Sequence, residues 1–186
     1  MKSIANKFKL IIINFFVLRK LKNYGRNVNI HFDSIIDGHK NISIGNNFKT
    51  GRNLRLEAIE KYYNFTYKPQ IKIGNNVSFN NNVHIGAISK IQIGDNCLFG
   101  SNILITDHSH GNLNLPVNGI FKTQNLYSKG DVKIEENVWI GENSCILPGV
   151  KIGKNTVIAC NSTVTKNLNS NSVYAGNPAK FVKKIL

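Results

Sequence analysis

Residues 134–164 read Ile-Glu-Glu-Asn-Val-Trp-Ile-Gly-Glu-Asn-Ser-Cys-Ile-Leu-Pro-Gly-Val-Lys-Ile-Gly-Lys-Asn-Thr-Val-Ile-Ala-Cys-Asn-Ser-Thr-Val. An aliphatic residue stands at every sixth position: Ile134, Ile140, Ile146, Ile152, Ile158 and Val164. A helical face repeats about every 3.6 residues and a lone strand about every 2, so a sustained step of six is neither. A second register falls four residues after each of these, at Val138, Ser144, Val150, Thr156 and Ser162. Two inward positions, two apart, in each hexad describe a short strand followed by a corner. The corners carry Gly-Glu-Asn (141–143) and Gly-Lys-Asn (153–155), residues that accept left-handed backbone. Three hexads close one triangular coil of about 18 residues, and stacked coils pair their strands in parallel.

Upstream the same step appears as Ile73, Phe79, Ile85, as Ile93, Phe99, Ile105, and more weakly as Ile44, Thr50, Leu56. Phe48, Leu54, Val77, Val83, Cys97 and Ile103 fill the second register. Coils therefore start near Ile44, Ile73, Ile93, Ile134 and Ile152, with a ragged one near Val28. The 29 asparagines suit a fold made of corners.

The chain has 186 residues, which fits one domain. With 24 Lys+Arg against 10 Asp+Glu the net charge is +14, which favours phosphate-bearing partners or an anionic membrane surface. No compact basic block marks a nucleic-acid site. Three cysteines, Cys97, Cys145 and Cys160, argue against a disulfide scaffold and fit a reducing, cytoplasmic setting. The run Leu10–Ile13 and Phe15–Leu18, flanked by basic residues, is too short to span a bilayer. Arg19-Lys20-Leu21-Lys22 is unlike a signal-cleavage site. An uncleaved amphipathic helix is expected over residues 1–25. It either packs on the domain or a neighbouring subunit, or rests on the inner membrane face.

Breaks in the rhythm mark function. Between Leu56 and Ile73 an insertion brings Glu57, Glu60, Tyr62, Tyr63 and Phe65. Ile85 to Ile93 is two residues long of the step. The largest break is a loop over about 108–129, opening with Asp107-His108-Ser109-His110-Gly111. Its apolar residues (Leu113, Leu115, Pro116, Ile120, Phe121, Leu126) predict packing against an adjacent subunit. The paired histidines suit a general base, since imidazole titrates near neutrality. Surface decoration and metal ligation are the other readings. His110, Trp139 and His84 each lie five residues after a core position, an outward slot. Glu57, beside the aromatics of the first insertion, is a candidate acceptor contact. Cys97 falls in an inward slot, and neither Cys145 nor Cys160 has a local histidine partner, so an acyl-enzyme route is not favoured.

Ile-Gly-Asp-Asn-Cys (93–97), Asn-Val-Trp-Ile-Gly (137–141), the run 140–153, Asp-His-Ser-His-Gly (107–111) and Tyr-Ala-Gly-Asn-Pro-Ala-Lys (174–180) together resemble the hexapeptide-repeat acyltransferases. The nearest branch is the sugar O-acetyltransferases of the maltose, galactoside and surface-polysaccharide type, and the likeness covers 28–186. It implies an all-β fold: a left-handed parallel β-helix over 26–186, with the N-terminal helix, the extended loop and a short C-terminal helix. It implies a homotrimer with sites between subunits, acetyl-CoA as co-substrate and no metal. The acceptor would be a sugar or glycan, acylated on a hydroxyl during surface-polysaccharide synthesis by direct transfer. Ungapped, His110 falls on the family's catalytic histidine, with His108 the second candidate. Asn80 matches an acceptor-contacting asparagine. Trp139, Gly141 and Cys160 fall beside the pantetheine arm, and Thr165, Lys166, Lys180 and Lys183 near the adenosine and its phosphates. Cys160 replaces a usual alanine and Glu142 a small polar residue. N-acetylation of a sugar or nucleotide sugar remains an alternative. So, on His84, His108 and His110, does a zinc carbonic anhydrase on the same helix.

Overall fold

Most hexads form one short strand, stacked directly on its counterpart in the coil before; those at Asn29 and Leu168 form isolated parallel bridges. The computed structural model describes residues 16–112 and 120–185. The first sheet stacks Asn23–Tyr24, Ile42–Ile44, Gln70–Ile73, Lys90–Ile93, Val132–Ile134 and Lys151–Ile152. The second stacks Lys49–Thr50, Ser78–Phe79, Leu98–Phe99, Trp139–Ile140, Val157–Ile158 and Ser172–Ala175. The third stacks Ile35–Asp37, Arg55–Ala58, Val83–Ala87, Ile103–Thr106, Cys145–Ile146 and Thr163–Val164. Pairing within these sets is parallel. The described chain is thus a nearly all-β, three-faced parallel coil.

In-register stacking puts like on like. The inward residues Ile44, Ile73, Ile93, Ile134 and Ile152 form one buried ladder, and Leu56, Ile85, Ile105, Ile146 and Val164 another. Phe48, Phe79 and Phe99 pack edge to face at 5.1 and 4.7 Å. Each such apolar side chain contributes about 1.5–3 kcal/mol by leaving water.

Two of the three corners are built from asparagine. Asn27, Asn47, Asn76, Asn96, Asn137, Asn155 and Asn171 occupy one, and Asn53, Asn82, Asn102, Asn143 and Asn161 the other, all with φ between 54° and 60°. Left-handed backbone costs most L-residues about 1–2 kcal/mol, and asparagine offsets it with its side-chain amide. Asn47 donates to Asn76, Asn76 to Asn96, Asn53 to Asn82 and Asn82 to Asn102, at 2.8–3.0 Å.

The third corner is where the chain leaves the coil, at 59–69, at 88–89 and at 107–131, in three successive coils. The first excursion forms the hairpin Lys61–Tyr62 with Phe65–Thr66, and the last pairs Ser109–His110 with Leu126–Tyr127. They pack on each other: the Tyr62 hydroxyl donates to the Lys122 carbonyl (2.7 Å), and the Leu126 N–H donates to the Tyr67 hydroxyl (2.8 Å).

The C-terminal segment corrects the sequence expectation of a short helix. Lys180–Lys184 is a strand, antiparallel to Ser172–Ala175. Its Phe181 ring lies on Tyr174 at 5.9 Å, and the pairing closes the open edge of the last coil, so a tertiary partner decides the conformation. At the other end, residues 16–18 are helical and Asn23–Tyr24 already pairs with Ile42–Ile44. The helix expected over 1–25 is therefore corrected at its C-terminal end: 19–22 turn and Asn23–Tyr24 is a strand, because pairing with the first full coil takes over from helix there. Residues 1–15 of that expected helix lie outside the described residues, as do Leu113, Leu115 and Pro116.

Candidate active site

The outward slots make three different faces. Ser43, Lys72, Gln92, Lys133 and Lys151 make the first polar. On the second, Ser78, Leu98, Trp139, Val157 and Val173 stand in line. Leu98 and Trp139 there are 46% and 52% exposed, an unusual placing for large apolar groups. On the third, Arg55, His84, Leu104, Cys145 and Thr163 align.

The apolar ladder of the second face forms one wall of an open groove of about 600 Å³. It is lined by Asn80, Leu98, Gly100, Trp139, Gly141, Glu142, Val157, Ile158, Ala159 and Cys160. Five residues named from the sequence (Asn80, Trp139, Gly141, Glu142 and Cys160) thus come together. The floor residues carry little or no side chain. A Cβ at Gly141 would lie 2.5 Å from the Cys160 backbone nitrogen, so this close stacking of coils needs glycine. Leu98, Gly100, Val157 and Ala159 were not singled out from sequence, although they occupy the same hexad slots as Trp139 and Gly141 one coil away. Thr165, Lys166, Lys180 and Lys183 are exposed at the C-terminal end and do not line the groove.

The second cluster sits where the third face ends. Asp107 is fully buried and accepts from the Ile88 N–H (2.9 Å) and the Ser89 N–H (2.8 Å). Its Oδ1 also lies 3.0 Å from His108 Nδ1, and the Thr106 hydroxyl is 3.2 Å from the same nitrogen. The His108 side chain is 13% exposed. A carboxylate only accepts, so the proton sits on Nδ1, and Nε2 keeps the lone pair a base needs. Across Gly86, His84 Nε2 lies 2.8 Å from Glu57 Oε2, and the Arg55 guanidinium donates to Glu57 Oε1 at 2.8 Å.

His110 stands elsewhere. The chain departs from the coil after Thr106, so the six-step count that puts His110 in an outward slot of the prism ends before it. Instead His110 is exposed on the loop's strand pair, its ring edge to face with Tyr62 at 5.4 Å. Among the described residues no three His, Cys, Asp or Glu side chains converge as a metal site. Cys97 is buried and burial pushes its thiol up to about 11, a core residue rather than a nucleophile.

Comparison with known proteins places this architecture. The family model for bacterial transferase hexapeptide repeats matches residues 131–166, and that for the hexapeptide repeat of succinyl-transferase matches 90–105. The chain is 35% identical over 159 residues to the Escherichia coli K12 protein named "Putative lipopolysaccharide biosynthesis O-acetyl transferase WbbJ", covering 83% of this chain and 78% of that one. A solved galactoside acetyltransferase in complex with coenzyme A superposes with a TM-score of 0.60 at 26% identity, over 98% of this chain and 80% of that one. A variant of AntD, an N-acyltransferase from Bacillus cereus, superposes with a TM-score of 0.73 at 22% identity, over 90% and 86%, a likeness of fold alone. The curated galactoside O-acetyltransferases it matches are spanned over 57% of their length. The chain belongs to the hexapeptide-repeat acyltransferases, and it is sugar O-acetyltransferase-like. It is an acyltransferase.

Proposed function

We propose that this protein, a left-handed β-helix, moves an acetyl group from acetyl-CoA to a sugar hydroxyl during surface-polysaccharide assembly, with His108 as general base. The observation that carries this is the Asp107–His108 pair, in which a buried carboxylate fixes the ring through Nδ1. His110, the first candidate from the sequence, is assigned to the mouth of the acceptor site beside Tyr62. The relation to WbbJ supports oxygen rather than nitrogen as the acceptor atom.

The chemistry needs no covalent intermediate, because the thioester is already activated. His108 Nε2 takes the proton of the sugar hydroxyl while the oxygen attacks the thioester carbonyl. The C–S bond then breaks, and the imidazolium returns its proton to the departing thiolate, giving the ester and free CoA. Asp107 stabilises the imidazolium between the two transfers. The groove under Trp139 supplies an apolar wall for the pantetheine arm. That the galactoside acetyltransferase was solved as a coenzyme A complex supports CoA as the donor.

Groove and base lie at opposite edges of the third face, separated by the strand Ile103–Thr106, about 13 Å of extended chain. This supports a homotrimer in which the base of one copy serves the groove of the next. The half-exposed Leu98 and Trp139 are then covered by a neighbour and by CoA.

His108→Ala and His110→Ala, assayed by CoA release, test the assignment. His108→Ala is expected to lose about 10²–10⁴-fold in kcat, His110→Ala much less, with CoA affinity kept in both. Near-full activity in His108→Ala refutes it.

A further inference from the structure

We propose that His84, held by Glu57, is a second acceptor-contacting imidazole that binds a sugar hydroxyl other than the one acylated. The inference rests on the sugar-transfer reading above and names a residue that reads the acceptor's shape.

The third face sets it up through register. Arg55 pairs with His84, Glu57 with Gly86, and Gly86 in turn with Thr106. In the outward ladder Asp37, Glu57, Gly86, Thr106, one position therefore has no side chain. A Cβ built on Gly86 would lie 3.3 Å from His108 Cε1 and 3.7 Å from His84 Nε2, with no backbone atom in contact. Glycine inside a strand weakens it by about 0.5–1 kcal/mol and marks a place of close approach. Here the approach is by two rings from adjacent coils, converging over one bare peptide.

The two rings are mirror cases. In each, a carboxylate claims one ring nitrogen: Asp107 takes Nδ1 of His108, and Glu57 takes Nε2 of His84. Each carboxylate fixes a tautomer and leaves the opposite nitrogen to accept a hydrogen bond. Glu57 is also tied to Arg55, so its charge is compensated and its oxygens are held in place. Stability is a poor reason for this arrangement: the Arg55 end is half-exposed, where ion pairs contribute little, and the less exposed Glu57 and His84 are desolvated to form theirs. A sugar carries hydroxyls on adjacent carbons. An acceptor with one oxygen at His108 Nε2 brings a ring neighbour toward the second imidazole. Sites that hydrogen-bond a particular hydroxyl discriminate strongly against acceptors lacking it, because a partly buried polar group is then left unpaired.

The test uses the full chain, acetyl-CoA and p-nitrophenyl glycosides of galactose, glucose, mannose, fucose and N-acetylglucosamine, read by CoA release. The best acceptor is then compared with its monodeoxy analogues at each position that is not acylated. Wild type is expected to lose about 10-fold or more in kcat/KM on one of these analogues. His84→Ala should lose a similar factor on the parent acceptor and show no further loss on that analogue. Glu57→Gln should fall between the two, and CoA affinity should stay unchanged in all three. His84→Asn, which keeps a polar side chain, separates loss of contact from loss of fold. If His84→Ala discriminates the analogue as wild type does, or stays within twofold on the parent, this inference is overturned while sugar transfer stands. If wild type releases CoA with no glycoside, the sugar-transfer reading falls and this inference falls with it.

Discussion

Trp139 offers the sharpest test of where CoA binds, because it is the chain's single tryptophan and lines the groove. A tryptophan can bury up to about 250 Å², and 52% of this one is open in the single chain. If bound cofactor covers roughly two thirds of that open half, about 85 Å² of apolar surface leaves water. At about 25 cal/mol per Å² this is worth about 2 kcal/mol, or a factor of about 30 in Kd. Trp139→Ala should weaken CoA binding by that factor in calorimetry, and Trp139→Phe by only a few-fold. The fold should tolerate both, since Ile140 and not Trp139 occupies the core slot of that strand. In wild type the indole emission should shift as CoA saturates. Light scattering of both variants separates lost contact from lost assembly. An indole signal unmoved by saturating CoA, with Trp139→Ala binding within threefold of wild type, would refute the placing.

Two further outcomes follow from local chemistry. Cys160 is exposed on the groove lip, Cys145 is half-buried, and Cys97 is buried with a thiol pushed to about 11. At pH 8 only about one Cys97 in a thousand is thiolate, so iodoacetamide should label Cys160 first and leave Cys97 intact until unfolding. Saturating CoA should slow the Cys160 reaction, as read by peptide mass spectrometry; unchanged labelling would place the cofactor elsewhere. At the asparagine corner, Asn76 has φ 55° and hydrogen-bonds Asn47 and Asn96. Asn76→Ala loses both bonds and adds left-handed strain, about 3 kcal/mol, whereas Asn76→Gly loses only the bonds, about 1–2 kcal/mol. Equal urea midpoints for the two variants would contradict the strain account.

The coil was legible because its determinants are local and repeated. Two inward side chains in each hexad, with a left-handed asparagine at two of the three corners, specify the coil without help from distant residues, and like hexads then stack in register. The same arithmetic reaches the groove. Trp139, Leu98 and Val157 each precede a core residue of the second face, while Gly141, Gly100, Ala159 and Asn80 each follow one. Lys180–Lys184 was not legible, because it has no period and takes its conformation from the strand it pairs with.

The base was ambiguous for a related reason: counting in sixes works only while the chain stays on the prism, and it leaves after Thr106. What orients His108 is Asp107, and what holds Asp107 is a pair of N–H groups from the preceding coil, those of Ile88 and Ser89. These fall within the small two-residue excess between Ile85 and Ile93, the least conspicuous break in the repeat. The regular hexad at this corner, Ile146 to Ile152, turns in two fewer residues, and its Leu147 and Gly149 N–H groups donate to the carbonyls of Val164 and Gly130. A buried carboxylate left without hydrogen-bond donors is costly. Two extra residues turn the backbone so that two N–H donors face one carboxylate and fix it in place beside the His108 ring. The long loop carries the histidine, and the short irregularity one coil below holds the carboxylate that orients it.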